Sequence, residues 1–268
     1  MSSILVPFDF SENAIRALQQ AFFLADTTGS SVELLHITNM NVAREYPKSW
    51  GTESIDEARL RGQLEAVVKE HKGNSGAGIT ITIKESTLVS GGIISYLLDT
   101  KPTLAVMGTH GWSGLADKLL GSNTSSLITH AIFPILAVPP HWAPAPLTKG
   151  IANVELKNLS SLLPALEQWA AFLHTPVEVI EFSAVPEVEE DSAVTPAPGS
   201  NVVISGVVRL MDDLTLAENI AQYTSAQEGA YAIMFVHERK WFEKIFSGSI
   251  SEKVSGIIEA PLLALPLS

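Results

Sequence analysis

Short apolar runs and longer amphipathic stretches alternate along the first 140 residues. The apolar runs fall at Ile4–Pro7, Ser31–Ile37, Gly78–Ile83, Leu104–Met107 and Ile135–Val138, and their length and flanking turn residues predict strands. Between them, apolar residues recur at helical spacing near Asn13–Thr27, Ser54–His71, Gly91–Leu98 and Ser122–Ala131. Ser11 and Ser54 stand where helix N-caps belong, and Gly29 suits a C-terminal stop. Strands separated by helices require right-handed crossovers and a parallel sheet covered on both faces. The pattern therefore predicts a doubly wound α/β domain, with a ligand crevice beyond the strand C-termini where the strand order switches.

The second half repeats the first. Shifted by 127 positions, Ile93-Ile-Ser-Tyr96 meets Ile220-Ala-Gln-Tyr223, Leu104-Ala-Val-Met107 meets Tyr231-Ala-Ile-Met234, and Pro134-Ile-Leu-Ala-Val-Pro139 meets Pro261-Leu-Leu-Ala-Leu-Pro266. Nearer the front the register differs: Val32-Glu-Leu-Leu-His-Ile37 parallels Val177-Glu-Val-Ile-Glu-Phe182, and Val6 is aligned with Val154. Pro139-Pro140-His-Trp-Ala-Pro144-Ala-Pro146 can continue neither a helix nor a central strand, and marks the seam. The expected organisation is a first domain over 1–140, a Pro-rich linker over 141–150 and a second domain over 151–268. Each domain is a doubly wound five-stranded parallel sheet of the Rossmann-like type. The matched terminal strands Ile135–Val138 and Leu262–Leu265 predict a tandem pseudo-two-fold pair joined along its last strands, which would bury two exposed edges.

Chemistry concentrates after the fourth strand. Gly108-Thr-His-Gly111 is followed, after nine residues, by Gly121-Ser122 and a helix-ready segment. Strand, glycine loop and helix start form a phosphate-binding order: glycine lets backbone N–H groups come close, and a helix N-terminus adds unpaired donors with partial positive charge. Asp9 follows strand one, and in a sheet that starts outward from strand one and resumes with strand four the two loops are neighbours. The bland alternatives are that Asp9 caps the first helix and that His110 is a polar loop residue. Gly108→Val is expected to abolish ligand binding and leave the fold intact.

Composition narrows the field. The chain has 268 residues, 46% hydrophobic and 17% charged, and carries a net charge of −12. The first 140 residues hold 10 basic and 13 acidic side chains against 7 and 16 in the rest, so the second half should repel polyanions. Without a basic stripe, nucleic acid is not an expected partner. No apolar run approaches the length of a membrane span, and the first residues lack a signal-peptide pattern, which reads as a cytoplasmic protein with no membrane partner. The absence of cysteine removes disulfides and thiolate metal sites and fits a reducing compartment. The seven histidines lack the close pairing of a zinc helix, so no metal held by protein alone is expected.

Pro7-Phe-Asp9-Phe-Ser11, Met107-Gly-Thr-His-Gly111 and Gly121-Ser122 together resemble the nucleotide-binding branch of the universal stress protein family, over the whole first half. The resemblance implies an adenine nucleotide α-hydrolase-like fold that binds ATP, with Mg2+ carried on the phosphates. It implies that Asp9 accepts from the adenine amino group and that Ile37 offers backbone to the base. Gly108, His110 and Gly111 would line the ribose and first phosphate, Gly121, Ser122 and Asn123 would hold the outer phosphates, and Pro7 and Met107 complete the set. Family members often carry Val or Thr where Asn123 stands. Members commonly dimerise along a last strand; here that contact can be internal, and pairing of whole chains is left open.

The second copy reads as a scaffold without the site. Aligning Val6 with Val154 puts Lys157 opposite Asp9, and the 127 shift puts Phe235 opposite Gly108 and Glu238 opposite Gly111; Gly248 and Ser249 survive. A phenyl ring blocks by bulk and a carboxylate repels phosphate. The expected function is an ATP-binding stress-response regulator or binding module with one site per chain. There is no P-loop Gly-Lys-Ser/Thr and no catalytic set, so efficient ATP hydrolysis is not expected. The alternatives are an adenylating or ATP-hydrolysing enzyme of the same fold group, and a structural partner protein that binds no nucleotide.

Overall fold

The computed structural model describes residues 2–39, 57–109, 133–183, 195–211, 213–236 and 260–266. In the first half, β1 (Ser3–Pro7), β2 (Ser31–Asn39), β3 (Ile79–Ser86), β4 (Leu104–Gly108) and β5 (Ile135–Val138) alternate with α1 (Glu12–Thr28), α2 (Glu57–His71) and α3 (Val89–Thr100). Each strand lies where the apolar runs place it, β2 and β3 running two and three residues further. The expected Ser54 cap and the helix over Ser122–Ala131 lie outside the described residues. α1 starts at Ser11, whose extended backbone (φ −70°, ψ 157°) lets its hydroxyl accept from Ala14 N–H, and stops at Gly29 in the left-handed region, φ 67°.

The second half contributes β6 (Lys149–Asn153), α4 (Leu159–Leu173), β7 (Val177–Ser183), β8 (Val202–Arg209), α5 (Leu216–Ser225), β9 (Ala230–Val236) and β10 (Leu262–Pro266). β6 opens at Lys149, inside the stretch expected as linker. α5 is held by a complete capping box between Thr215 and Glu218. Thr82 and Tyr96 both donate to Glu33 Oε1 on the α3 face, and Tyr223 repeats the device by donating to Glu178 Oε1 at 3.2 Å.

Among the described residues ten strands join one sheet in the order β3-β2-β1-β4-β5-β10-β9-β6-β7-β8. Every neighbouring pair is parallel except β5 and β10, which meet antiparallel at the centre. Leu136 faces Leu263, its own counterpart under the 127-residue shift, so a pseudo-two-fold axis passes between them. Both side chains are fully buried, each contributing about 1.5–3 kcal/mol of apolar burial.

Strand register corrects the front alignment. Ile4 pairs with Val32 and with Leu104, whereas Gly150 pairs with Val177 and with Tyr231, so Ile4 corresponds to Gly150. Val6 therefore matches Ala152 and not Val154, and Asp9 matches Glu155 and not Lys157, which stands opposite Ser11. Hydrogen-bond register fixes the match, where apolar likeness of short strands had suggested one two residues away.

The two halves also differ in how the first helix sits. α1 lies along β4, β1 and β2, while α4 packs toward β7 and β8, and a 3-10 turn over Leu156–Asn158 precedes it. Space explains α1's position: a Cβ at Gly108 would lie 2.6 Å from Asn13 O and 2.7 Å from Asn13 C, so the absence of a side chain lets α1 settle onto β4. Phe235 fills that place in the second half and packs against the main core. This revises the expectation for Gly108→Val, which would push α1 off the sheet.

The seam is pinned from the first half. Gln20 of α1 is fully buried; its Nε2 donates to Ala145 O (2.9 Å), and its Oε1 accepts from Trp142 Nε1 (2.8 Å) and Ala145 N–H (3.2 Å). One hydrophobic core on this face runs through both halves, from Ile4 and Leu18 to Trp169 and Leu265.

Candidate functional site

β1 and β4 are hydrogen-bonded neighbours, Ile4 with Leu104 and Leu5 with Ala105, so the loops leaving their C-termini flank one crevice at the switch in strand order. Asp9 follows the end of β1 at Pro7, and Gly108 is the last residue of the neighbouring β4. Asp9 Oδ1 accepts from Ser11 N–H at 3.0 Å, and Ser11, not Asp9, caps the helix. Among the described residues Asp9 Oδ2 has no hydrogen-bond partner, which leaves an acceptor at the crevice. Phe10 is held at φ 64°, in the left-handed region that a bulky residue rarely adopts, and its ring meets those of Phe8 and His36 edge-on at 5.2 and 5.3 Å.

Ile37 occupies the third corner. Its side chain is buried in the core under α3, where Gly92 allows the helix to press down: a Cβ there would meet Ile37 Cδ1 and Cγ2 at 3.2 Å. Its backbone matters more. Phe8 N–H donates to Leu35 O at 2.8 Å, the last rung between β1 and β2, and in a parallel ladder Ile37 points its N–H and C=O to the same side as Leu35. β1 ends at Pro7, so the Ile37 groups lie on the β1 side beyond that strand's last residue. Pro7 is half-buried at the end of β1, and Met107 is buried in the core under α3 and paired with Ala137. His110, Gly111, Gly121, Ser122 and Asn123 lie outside the described residues.

The equivalent place in the second half is filled by its own side chains. Asn153 Oδ1, at the position of Pro7, accepts from Phe182 N–H at 3.1 Å, the counterpart of the Ile37 N–H. Glu181 Oε2, at the position of His36, accepts from Leu156 N–H at 2.7 Å. Glu155 pairs with Lys157 at 3.0 Å and accepts from Asn158 Nδ2 at 3.0 Å. An acid thus persists at the Asp9 position, tied to its own loop, and Phe235 stands at the Gly108 position. Glu238, Gly248 and Ser249 lie outside the described residues. Sequence reasoning missed Asn153, Glu181 and His36. The signal lay in the matched Val32-Glu-Leu-Leu-His-Ile37 and Val177-Glu-Val-Ile-Glu-Phe182 segments, where His36 faces Glu181.

Among the described residues no group of three or more His, Cys, Asp or Glu could hold a metal ion, and no helix is long and apolar enough to cross a membrane. A carboxylate oxygen that accepts, together with a backbone N–H that donates, is chemistry suited to the hydrogen-bonding edge of a heterocyclic base.

Fold and crevice define a tandem Rossmann-like α/β protein with a switch in strand order between β1 and β4 of its first half. The universal stress protein family model matches residues 1–139, and the chain belongs to that family. The universal stress protein Rv2005c of Mycobacterium tuberculosis is 27% identical over 259 residues, spanning 86% of this chain and 85% of its own. Among solved structures, a universal stress protein from Archaeoglobus fulgidus superposes with a TM-score of 0.66 at 14% identity, covering 99% of this chain and 96% of that one. A universal stress protein solved in complex with cAMP is 17% identical with a TM-score of 0.41, covering 52% of this chain and 97% of that one.

Proposed function

We propose that this chain is an adenine-nucleotide-binding module that holds one ATP, with Mg2+ on its phosphates, in its first half, and acts as a nucleotide-dependent stress-response regulator in the cytoplasm. The observation that carries the reading is the contrast between the two crevices. In the first, Asp9 Oδ2 and the Ile37 N–H have no partner among the described residues; in the second, the corresponding N–H is taken by Asn153 and the Gly108 position holds a phenyl ring. Asp9 and Ile37 would read the base, and Gly108, His110 and Gly111 would take the ribose and first phosphate. Gly121, Ser122 and Asn123 would take the outer phosphates, and magnesium would arrive with the nucleotide because it needs few protein ligands. ATP brings binding chemistry only; the chain's contribution is recognition.

Calorimetric titration with ATP and Mg2+ tests this. One site per chain is expected, with ATP preferred over GTP and the preference eroded in Asp9→Ala. Phe235→Gly should add no second site, because Asn153 and Glu181 still fill that crevice. Two equivalent sites, or no binding at all, would overturn the reading.

A further inference from the structure

We infer that His36 is a positioning residue for base recognition, freeing the Ile37 N–H by taking over the carbonyl that would otherwise accept from it. The inference rests on the adenine-nucleotide reading above. Along a parallel ladder, the rung after Phe8 N–H to Leu35 O is Ile37 N–H to Phe8 O. That rung is absent: Phe8 O lies 2.8 Å from His36 Nδ1, which must carry the proton and donate because a carbonyl only accepts. Among the described residues the Ile37 N–H has no backbone acceptor. The imidazole is held in place by the edge of Phe10, whose left-handed backbone carries the chain from Asp9 into α1. One side chain therefore ends the β1–β2 ladder, orients the Asp9 loop and leaves a backbone donor facing the crevice.

The second half lacks the same rung by another route, its N–H being taken by a side chain. The preceding rung, Val154 N–H to Ile180 O, is present at 2.9 Å, so the strands reach the same point. There the residue in place of His36 is Glu181, and an ionised carboxylate cannot donate to a carbonyl. It accepts from Leu156 N–H instead, and the Phe182 N–H is taken up by Asn153. The two crevices diverge at this position, donor in one and acceptor in the other. The ligand the first would take is a planar base presenting a ring-nitrogen acceptor beside an exocyclic amine, facing the Ile37 N–H and the Asp9 carboxylate.

The test compares wild type with His36→Leu, His36→Glu and His36→Asn, the last because an Asn amide can place a donor near the Nδ1 position. Each is titrated with ATP, GTP and inorganic tripolyphosphate, and its unfolding midpoint is measured alongside. His36→Leu and His36→Glu should lose at least about tenfold in ATP affinity and most of the ATP-over-GTP preference, with tripolyphosphate binding unchanged; His36→Asn should stay within about threefold. In the wild type, 15N NMR should show the Nδ1-protonated tautomer, with a shift on adding ATP that tripolyphosphate does not produce. The inference is overturned if His36→Leu binds ATP as wild type does, if it loses ATP and tripolyphosphate alike, or if the ring is protonated on Nε2. Should the wild type bind no adenine nucleotide, the failure lies with the functional reading itself, separable because it appears before any variant is compared.

Discussion

Gly108→Ala is expected to destabilise the fold, whatever it does to ligand binding. The added Cβ would lie 2.6 Å from Asn13 O, 2.7 Å from Asn13 C and 2.8 Å from Asn13 Cβ. Carbon contacts are comfortable at about 3.5 Å, so the overlap is roughly 0.7–0.9 Å. Two of the three atoms are backbone in the first turn of a helix capped by Ser11, and they cannot rotate aside. α1 must shift by a comparable amount against β4, and overpacking of this kind costs typically 1–3 kcal/mol; the rigid neighbours place it toward the upper end, about 2–3 kcal/mol. Urea unfolding followed by circular dichroism should read that loss as a lower midpoint at unchanged slope. Asn13→Gly introduced alongside removes only the Cβ contact, so the double variant should recover less than half of the loss. A single variant within about 0.5 kcal/mol of wild type would refute the packing argument and return Gly108 to a purely ligand-facing role. Gly108→Val carries the same clash in heavier form, and its loss of ATP binding would not by itself locate the ligand.

The remaining predictions concern the seam and the buried polar groups. Residues 1–140 expressed alone should dimerise or aggregate through the exposed β5 edge, and a clean monomer in sedimentation would count against the internal two-fold pairing. Gln20→Leu leaves Trp142 Nε1 and both Ala145 backbone groups without their partner; because those groups are half-exposed the cost should be about 2–4 kcal/mol by urea unfolding, and a loss under about 1 kcal/mol would show that the seam is not held there. Burial pushes the Tyr231 hydroxyl, hydrogen-bonded to Thr175 Oγ1 at 2.7 Å, up to about 12. Because the folded value is raised, the linked stability is complete below about pH 10 and falls as pH rises toward 12, so Tyr231→Phe should flatten the stability profile between those limits. An unchanged slope would refute that linkage.

The central pairing of the molecule was legible because Pro134–Pro139 and Pro261–Pro266 match residue for residue, and two apolar strands of equal length that both end in proline need the same cover. The Asp9 and Gly108 neighbourhood followed from strand order and the glycine spacing. What stayed hidden depends on hydrogen-bond register. Val6 and Val154 look alike, yet the rungs from Ile4 and Gly150 place them two residues apart, and only then does Glu155 emerge as the counterpart of Asp9. His36 was one scattered histidine until its Nδ1 was found at Phe8 O. The demand on Gly108 was half legible: close approach was expected, but of a ligand, whereas the structure brings in the first turn of α1.

Asn153, Glu181, Glu155 and Phe235 show that the second crevice did not merely lose contacts; it acquired internal ones. An empty crevice would leave the Phe182 and Leu156 N–H groups for water to satisfy and a cleft beside β9 where α1's counterpart no longer sits. Asn153 and Glu181 occupy the two donors, and Phe235 occupies space at the Gly108 position. Self-satisfaction of this kind stabilises the second half without a ligand, and what that half supplies in return is β10, the antiparallel cover for β5 that the first half cannot provide for itself. With Leu136 on Leu263 at the axis and Gln20 clamping the seam, the second half keeps β5 paired whether or not the first crevice is occupied.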